Sequence, residues 1–366
     1  MRVNKIALNG FRNYDFAVAE FDEGTNVICG RNAQGKTNLL EAVYILSCGR
    51  SFRTRFDKEL IGFEYSGADI LADVFSHERE QTVNIQLRQG HAKKIMVNSS
   101  KRSASELADV VNVVLFCPDD LNLIKDGAAV RRRLMDNAIC QIRPKYAELL
   151  SDYNRLYEHK SRILKDWHDK PALLDTLDEF SDAMARASAQ MIRYRAAFAE
   201  RLKKAAAPIH RDFSSELEEL NMLYKTISTV SDPYASAKEI YYEVCEHQES
   251  HRQAEIESCQ CLTGVHKDDL EIYINGRAAR NFASQGQTRT AALSIKLAER
   301  EIFLAETGEY PILLLDDVLS ELDIKRQEFV LNRIGGGQTL ISCCEDEGIS
   351  SRTGGKLLFV EKGRIS

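Results

Sequence analysis

Residues 1–117 contain short apolar runs and short runs in which apolar and polar residues alternate, which together predict a series of β-strands with one helix among them. The helix is indicated by apolar residues at 39, 40, 43, 44 and 46, which recur at helical spacing after a glycine-containing loop. The last run is uniformly apolar and stops at Pro118, as a buried strand does. The predicted strands are 3–8, 16–21, 26–29, 70–75, 82–87, 94–97 and 110–117.

Beyond residue 118 the apolar spacing becomes helical and predicts two antiparallel helices packed as a short hairpin. Apolar residues follow a near-heptad pattern between 146 and 167 and again between 177 and 202, with Pro171 between the two series and Pro208 after them. Strand patterns return at 270–274, followed by the turn pair Asn275 and Gly276, and at 312–315, 339–342 and 357–360. The sequence therefore predicts an α/β domain of residues 1–117 plus 260–366, interrupted by a helical domain of residues 118–259.

Composition places the chain among ordinary globular proteins. Of its 366 residues, 44% are hydrophobic and 28% are charged, and the nine cysteines form no C-x-x-C pair, so we expect reduced thiols. With no secretory signal pattern and no apolar run long enough to cross a bilayer, a cytoplasmic location is expected. The net charge of −6 argues against nucleic-acid binding through bulk positive charge, but residues 1–117 carry +1 and leave room for a local basic site.

A phosphate-loop pattern, G-x-x-x-x-G-K-[ST], lies between the third predicted strand and the predicted helix, which is the context that the motif requires. Glycines let backbone N–H groups face bound phosphates, and the helix N-terminus adds the positive end of its dipole. Lys36 would reach the β- and γ-phosphates of ATP, and Thr37 would offer its hydroxyl to Mg²⁺. The predicted cofactor-binding residues of this loop are Gly30, Arg31, Asn32, Ala33, Gln34, Gly35, Lys36 and Thr37.

Two further segments contain candidate functional residues. Asp316 and Asp317 follow the strand predicted at 312–315, so Asp316 is predicted to bind Mg²⁺ and Asp317 to orient or deprotonate the attacking water. The alternative is a pair of exposed acids that caps the next segment. Ser284 and Gly286 stand before another helical series and predict a helix cap with a second anion-binding N-terminus. Taken alone, that segment indicates only a structural helix cap. Its position ahead of Asp316 in the chain is what suggests a functional role.

Together these motifs resemble the ATP-binding-cassette (ABC) ATPases, and within them the SMC-like DNA-repair branch and its RecF family. The resemblance covers nearly the whole chain and rests on residues 9–14, 30–37, 49–53, 116–121, 131–133, 264–270, 284–289 and 316–323. It implies an α/β fold, an ABC-type P-loop ATPase head with a mixed sheet around a central helix. The inserted α-helical domain carries the short antiparallel hairpin, and residues 1–117 plus 260–366 form the ATPase domain.

The resemblance also implies a mechanism. ATP drives dimerisation because the segment of one subunit that contains Ser284, Gly286 and Gln287 caps the γ-phosphate held by the phosphate loop of the other. Lys36, Asp317, Ser284 and Gln287 are then the catalytic residues, Thr37 and Asp316 are the metal ligands, and Arg12 and Asn13 lie near the nucleotide. The closed dimer clamps single-stranded, gapped or junction DNA, and slow, DNA-stimulated hydrolysis resets it. RecO and RecR are the implied partners in RecA loading and SOS induction.

Two basic clusters are candidates for DNA contact, namely Arg50, Arg53 and Arg55, and Arg131, Arg132 and Arg133. Charge runs are usually solvated surfaces, but the resemblance favours DNA phosphate contacts that are salt-sensitive and largely independent of base sequence.

Some positions depart from the family pattern. Residues 341–344 read Ile-Ser-Cys-Cys where related ATPases often keep a switch histidine, so a hydroxyl is expected to take its place. No Gln-loop glutamine is evident near Pro118, where Asp119 or Asp120 is expected to play a metal- or water-linked part. Val265 stands where the family usually carries proline.

A metabolic P-loop kinase is the alternative from another class. In that interpretation the helical block is a lid over a small substrate, and the three arginines at 131–133 bind its phosphates. It leaves residues 284–289 unexplained. A nucleotide-switched scaffold with negligible turnover is a further alternative, which the sequence does not separate from a working ATPase.

Overall fold

The computed structural model describes residues 1–344 and 348–366. The strands in this part of the chain are β1 (Arg2–Phe11), β2 (Tyr14–Glu20), β3 (Thr25–Cys29), β4 (Gly67–Ser76), β5 (Arg79–Arg88), β6 (Lys94–Val97), β7 (Ser100–Arg102), β8 (Val113–Phe116), β9 (Leu220–Lys225), β10 (Asp269–Ile274), β11 (Arg277–Ala278), β12 (Ile312–Asp316), β13 (Thr339–Cys343), β14 (Lys356–Glu361) and β15 (Arg364–Ile365). The α-helices are α1 (Lys36–Cys48), α2 (Ala128–Ile142), α3 (Pro144–Asp166), α4 (Leu177–Phe213), α5 (Ala237–Ser258), α6 (Ala279–Phe282), α7 (Gln285–Thr307), α8 (Ile324–Arg333) and α9 (Ile349–Thr353). Among these described helices, none is both long and apolar enough to span a membrane.

The chain divides into two compact units. The first contains Met1–Asn122 and Arg289–Ser366, and the second contains Leu123–Thr288. These borders differ from the predicted ones at 117/118 and 259/260. The second border shifts because β10, in residues 260–288, pairs with β9 of the second unit. The division into an ATPase domain of residues 1–117 plus 260–366 and a helical domain of 118–259 stays a prediction.

Two six-stranded sheets form the first unit. One is antiparallel, with strand order β2-β1-β4-β5-β6-β7. The other has the order β15-β14-β3-β13-β12-β8 and is parallel except for its terminal β14–β15 hairpin. Because parallel strands end at the same edge, the residues that follow β3, β12 and β13 lie close together. This edge holds the predicted phosphate loop and both predicted carboxylates.

Helix α1 is the central helix that the sequence resemblance implies. Ten of its thirteen residues are buried, including the charged residues Lys36 and Glu41. The surrounding hydrophobic core joins Leu40 and Val43 of α1 to Ile85 of the antiparallel sheet and Leu314 of the parallel sheet. A helix buried on all sides holds its first turn in a fixed position, which is what a phosphate-binding loop requires.

The second unit contains the predicted helical hairpin. Tyr146 of α3 packs against Tyr194 of α4, and His159 stacks on Phe180 towards the other end, so the two helices are antiparallel. Helix α4 extends beyond the apolar series that ends at residue 202, because it continues through Pro208 to Phe213. Pro208 is exposed, so water can satisfy the carbonyl that loses its N–H partner. Helices α2 and α5 and strand β9 were not predicted from the sequence.

A short segment, residues 261–268, is held in the second unit by buried polar groups. Arg195, which is 2% exposed, donates to Asp136, to the carboxylate of Asp268 at 2.8 Å and to the carbonyl of Val265 at 2.7 Å. Tyr153 Oη lies 2.9 Å from His266 Nδ1. Burial, reinforced by the positive charges of Lys267 and Arg132 and opposed by the carbonyl of Cys261, lowers the pKa of His266 from its ordinary 6.5 to about 4.

The pKa of His266 predicts a pH-dependent stability of the second unit. Between pH 6.5 and 4 the unfolded chain binds a proton at His266 that the folded chain excludes, so this contribution is complete above 6.5 and is lost as the pH falls. We expect the free energy of unfolding of the wild type to drop by roughly 1–2 kcal/mol more than that of His266→Gln between pH 7 and 5. Urea titrations followed by fluorescence of Trp167, the chain's single tryptophan, measure this in the same unit. Equal pH dependence of both proteins would contradict the assignment.

Candidate nucleotide-binding site

The phosphate loop, residues 30–37, connects β3 to α1 as the motif predicts. Lys36 is 4% exposed, and its ammonium group donates to the carbonyl of Gly30 at 2.7 Å and to that of Arg31 at 3.2 Å. The loop therefore curls around the lysine side chain. This arrangement prepares a cation at the N-terminus of α1, where anions are favoured.

Two glycines of the motif are required by close approach. A Cβ atom on Gly30 would lie 2.2 Å from the carbonyl oxygen of Val360 in β14. Gly35 has φ 123°, and a Cβ there would lie 2.9 Å from the hydroxyl of Tyr14. A side chain at either position would displace backbone or a buried ring, so the glycines fix how the loop packs as well as how it binds.

The outer side of the phosphate loop is held by residues that the motif does not include. Asn13 Nδ2 donates to the carbonyl of Gln34 at 2.8 Å, and the Tyr14 hydroxyl donates to the carbonyl of Gly35 at 2.9 Å. The backbone N–H of Lys362, in the β14–β15 turn, donates to Gln34 Oε1 at 2.7 Å. Asn13 was predicted to lie near the nucleotide and is placed beside the loop. Tyr14 lies in the segment 9–14 that carries the resemblance but was assigned no role, and Lys362 was missed because no motif links it to the loop.

The hydroxyl and carboxylate predicted as metal ligands are in contact. Thr37 Oγ1 donates to Asp316 Oδ1 at 2.9 Å, and Ser342 Oγ donates to the same oxygen at 2.8 Å. Burial raises the pKa of Asp316, and the hydrogen bonds from Ser342 and Thr37 oppose that shift. Ser342 was the hydroxyl expected in place of a switch histidine, and it joins the ends of β12 and β13.

Asp317 has an unusual position next to this pair. Its φ of 49° turns the chain sharply after β12, and its N–H donates to Ser342 Oγ at 2.9 Å. Its Oδ1 is buried and makes no hydrogen bond within the described residues. An unsatisfied buried carboxylate oxygen is costly, so this atom suits a water molecule or other donor that arrives with a ligand. The alternative of two exposed capping acids is not supported.

Other residues predicted around the loop have structural partners. Cys344 Sγ donates to Asn32 Oδ1 at 2.9 Å and lies 4.0 Å from Lys36 Nζ. Asp120 Oδ2 accepts the N–H of Cys117 at 2.9 Å and so closes the turn after β8. A part for Asp119 or Asp120 in metal or water binding stays a prediction.

The two loops that carry Arg12 and Arg53 meet at one carboxylate. Arg12 donates to both oxygens of Glu41 on α1, at 2.7 and 2.9 Å, and to the carbonyl of Glu59 at 2.7 Å. Arg53 Nη1 lies 3.6 Å from Glu41 and donates to Asn38 Oδ1 at 2.7 Å. Glu41 was not predicted, because no local pattern reveals a carboxylate that binds arginines from two other segments.

The predicted DNA-contacting arginines differ in availability. Arg50, Arg55 and Arg133 are exposed, whereas Arg132 is half-buried and donates to the carbonyl of Asp268 at 2.7 Å. Arg131 is 3% exposed and binds both oxygens of Asp269, at 2.7 and 2.9 Å. Its Nη1 also donates to backbone carbonyls. The proposed DNA surface therefore does not include Arg131, because its guanidinium is buried and all three of its nitrogens already donate hydrogen bonds.

The predicted signature residues form a helix cap in the second unit. Ser284 Oγ accepts the N–H of Gln287 at 3.2 Å, and Gln287 Oε1 accepts the N–H of Ser284 at 2.8 Å. This reciprocal capping box starts α7. Gln287 Nε2 donates to Glu218 at 2.8 Å, while Ser284 is exposed. The first turn of α7 is thus pre-formed and accessible.

Comparison with known proteins assigns the chain to a family. The family model described as the RecF/RecN/SMC N terminal domain matches residues 2–352. The DNA replication and repair protein RecF of Acetivibrio thermocellus is 38% identical over 367 residues, which cover 100% of this chain and 99% of that protein. The chain belongs to the RecF family. This assignment to a family of DNA replication and repair proteins replaces the alternative of a metabolite kinase.

Solved RecF structures share the fold over the full length. The structures of the recombination mediator proteins RecF-ATPrS and RecF-ATP in the RecFOR pathway have TM-scores of 0.92 and 0.90. Each is 32% identical to this chain and covers 100% of it, and the chain covers 97% and 96% of those proteins. The fold is that of an SMC-like ABC ATPase head, as the sequence resemblance implied.

Proposed function

We propose that this RecF-family protein binds DNA in an ATP-dependent manner during recombinational repair, with subunits that close on ATP and open after hydrolysis. The observation that carries the proposal is the contact of Thr37 with Asp316 beside the unsatisfied Oδ1 of Asp317. A solved relative named RecF-ATP has the same fold over the whole chain, which supports ATP as the nucleotide.

The residues at the sheet edge fit Mg²⁺ with ATP. Thr37 and Asp316 offer oxygen atoms, which are the ligands that Mg²⁺ accepts, and their two oxygens are already 2.9 Å apart. Bound Mg²⁺ would neutralise charge on the phosphate oxygens. Lys36 would transfer its hydrogen bonds from loop carbonyls to the β- and γ-phosphates. Asp317 would hold or deprotonate the attacking water through Oδ1, the atom without a partner.

Dimerisation would complete each site. Ser284, Gly286 and Gln287 of one subunit would cap the γ-phosphate bound to the other, using the exposed N-terminus of α7. A nucleotide that binds only the closed dimer stabilises it by RT ln(1 + [ATP]/Kd), about 2.7 kcal/mol at a hundredfold excess over Kd. Closure would bring together the DNA-contacting arginines of both subunits, chiefly Arg50, Arg53, Arg55 and Arg133.

The cellular part of the proposal is cytoplasmic action on gapped or junction DNA. RecO and RecR are the proposed partners, since the similar structures are of proteins in the RecFOR pathway, and RecA loading and SOS induction are the proposed outcomes. The proposal is tested by measuring the rate of ATP hydrolysis and the mass of the protein assembly in solution, each with and without gapped DNA. We expect ATP to produce dimers and DNA to stimulate hydrolysis. Loss of DNA binding on addition of ATP would contradict the proposed coupling.

A further inference from the structure

Glu41 is a buried acidic residue whose partners come from two separate loops of the first unit. Its exposed fraction is 0%. Its carboxylate accepts two hydrogen bonds from Arg12 and one from the Ser51 hydroxyl at 2.5 Å, and it forms an ion pair with Arg53. None of these contacts belongs to the phosphate loop itself.

We propose that Glu41 is the positioning residue that makes DNA binding by Arg53 depend on the state of the nucleotide loop. The inference rests on the proposed function, in which Arg12 lies near the nucleotide and Arg53 contacts DNA. Glu41 touches neither ligand and acts through the arginines that it holds.

The burial of Glu41 explains why its carboxylate controls the orientation of these arginine side chains. A buried charge must be compensated by hydrogen bonds and opposite charges, so Glu41 keeps its cationic partners oriented towards α1. Ser51 tightens the same loop, because its Oγ also accepts the N–H groups of Arg53 at 2.9 Å and Thr54 at 3.1 Å. Arg53 is 44% exposed at the side chain, so its charge is divided between Glu41 and the solvent. DNA phosphates must compete with Glu41 for it.

A continuous set of hydrogen bonds links this arginine to the phosphate loop. Arg53 donates to Asn38 Oδ1, and Asn38 Nδ2 donates to Asn13 Oδ1 at 2.7 Å. Asn13 in turn donates to the carbonyl of Gln34 in the loop. Asn38 and Glu41 both lie on α1, the helix that begins at Lys36. A movement of the loop on nucleotide binding therefore shifts the same groups that hold Arg53, and coupling of this kind is measured as a change in affinity.

The test is a coupling measurement on the full-length protein with gapped duplex DNA and ATP. The coupling is the ratio of the Kd for DNA without ATP to the Kd with ATP. Glu41→Gln keeps the shape of the side chain but releases both arginines from a negative charge. We expect the Kd for DNA without ATP to fall about fivefold at low salt, since one more cation reaches phosphate, and the ratio to approach one. Glu20→Gln, which frees the exposed Lys5 on the antiparallel sheet, is the matched control.

The outcomes separate this inference from the proposed function. If the wild type itself has a ratio of one, the proposed ATP-dependent function is wrong. If the wild type is ATP-dependent and Glu41→Gln keeps its ratio and its ATP-free Kd within twofold, only the part assigned to Glu41 is wrong. A purely structural role would lower the melting temperature without changing the ratio. Should Glu41→Gln fail to fold, Ser51→Ala loosens the same loop and is expected to lower the ratio, and an unchanged ratio in that variant would overturn the inference.

Discussion

Lys36→Ala is expected to raise the Kd for ATP by about a hundredfold or more, because it removes the only buried cation placed at the described phosphate loop and α1 N-terminus. The wild-type ammonium already lies within the loop, where the carbonyls of Gly30 and Arg31 hold it until its hydrogen bonds transfer to the phosphates. Alanine also leaves those two carbonyls without their donor. Titration of a fluorescent ATP analogue gives the Kd directly.

Lys5→Ala is the matched control for this change. Lys5 is half-exposed and pairs with Glu20 on the antiparallel sheet, so the variant loses the same charge away from the loop. Its Kd for ATP is expected to stay within twofold of the wild type. Tight ATP binding by Lys36→Ala would show that the loop is a structural turn.

Asp317→Asn is expected to reduce the rate of ATP hydrolysis by about 10²- to 10⁴-fold while the Kd for ATP changes less than about threefold. The amide has nearly the shape of the carboxylate, but it is a poor base and does not attract the proton of an attacking water. Because hydrolysis opens the dimer in our proposal, ATP-bound dimers should persist in this variant. Phosphate release and light scattering after size-exclusion chromatography measure the two effects.

Asp317→Glu serves as the conservative control, since it keeps the carboxylate and lengthens the side chain by one methylene group. We expect it to retain hydrolysis within about tenfold of the wild type. Wild-type hydrolysis by Asp317→Asn would instead exclude Asp317 as the group that acts on water. In that case the buried Oδ1 of Asp317 would need a purely structural explanation.

The sequence predicts best what is local. The phosphate loop and the strand that ends at Asp316 are contiguous motifs, and the family resemblance implied the central helix. The structure confirms the loop, the strand end and the helix. The helical hairpin was also predicted, but the apolar series ends at residue 202, whereas α4 runs through Pro208 to Phe213. The exposure of Pro208, which permits the helix to continue, is a tertiary property that the sequence does not reveal. The burial of Arg131 was unpredictable for a related reason. Its partner Asp269 lies 138 residues away along the chain, and a run of three arginines looks the same whether it faces solvent or a carboxylate.

Long-range pairing also explains why the site was only partly predicted. Tyr14, Glu41 and Lys362 support the phosphate loop or its neighbouring arginines through contacts between separate segments of the chain. Residues 260–288 were placed in the predicted α/β domain because the pattern returns to strand and turn there, and the sequence does not show that β10 pairs with β9. Periodicity identifies a strand but does not identify its neighbour.

The central claim is that ATP completes its site between two subunits, and mixing two inactive variants tests it most directly. Lys36→Ala removes the phosphate loop's cation, and Ser284→Arg obstructs the cap, so neither protein alone should dimerise with ATP. In an equimolar mixture, the intact phosphate loop of Ser284→Arg meets the intact cap of Lys36→Ala, and one complete site forms. We predict ATP-dependent dimers in the mixture by analytical ultracentrifugation. A mixture that stays monomeric, or Ser284→Arg that dimerises with ATP as the wild type does, would contradict the account.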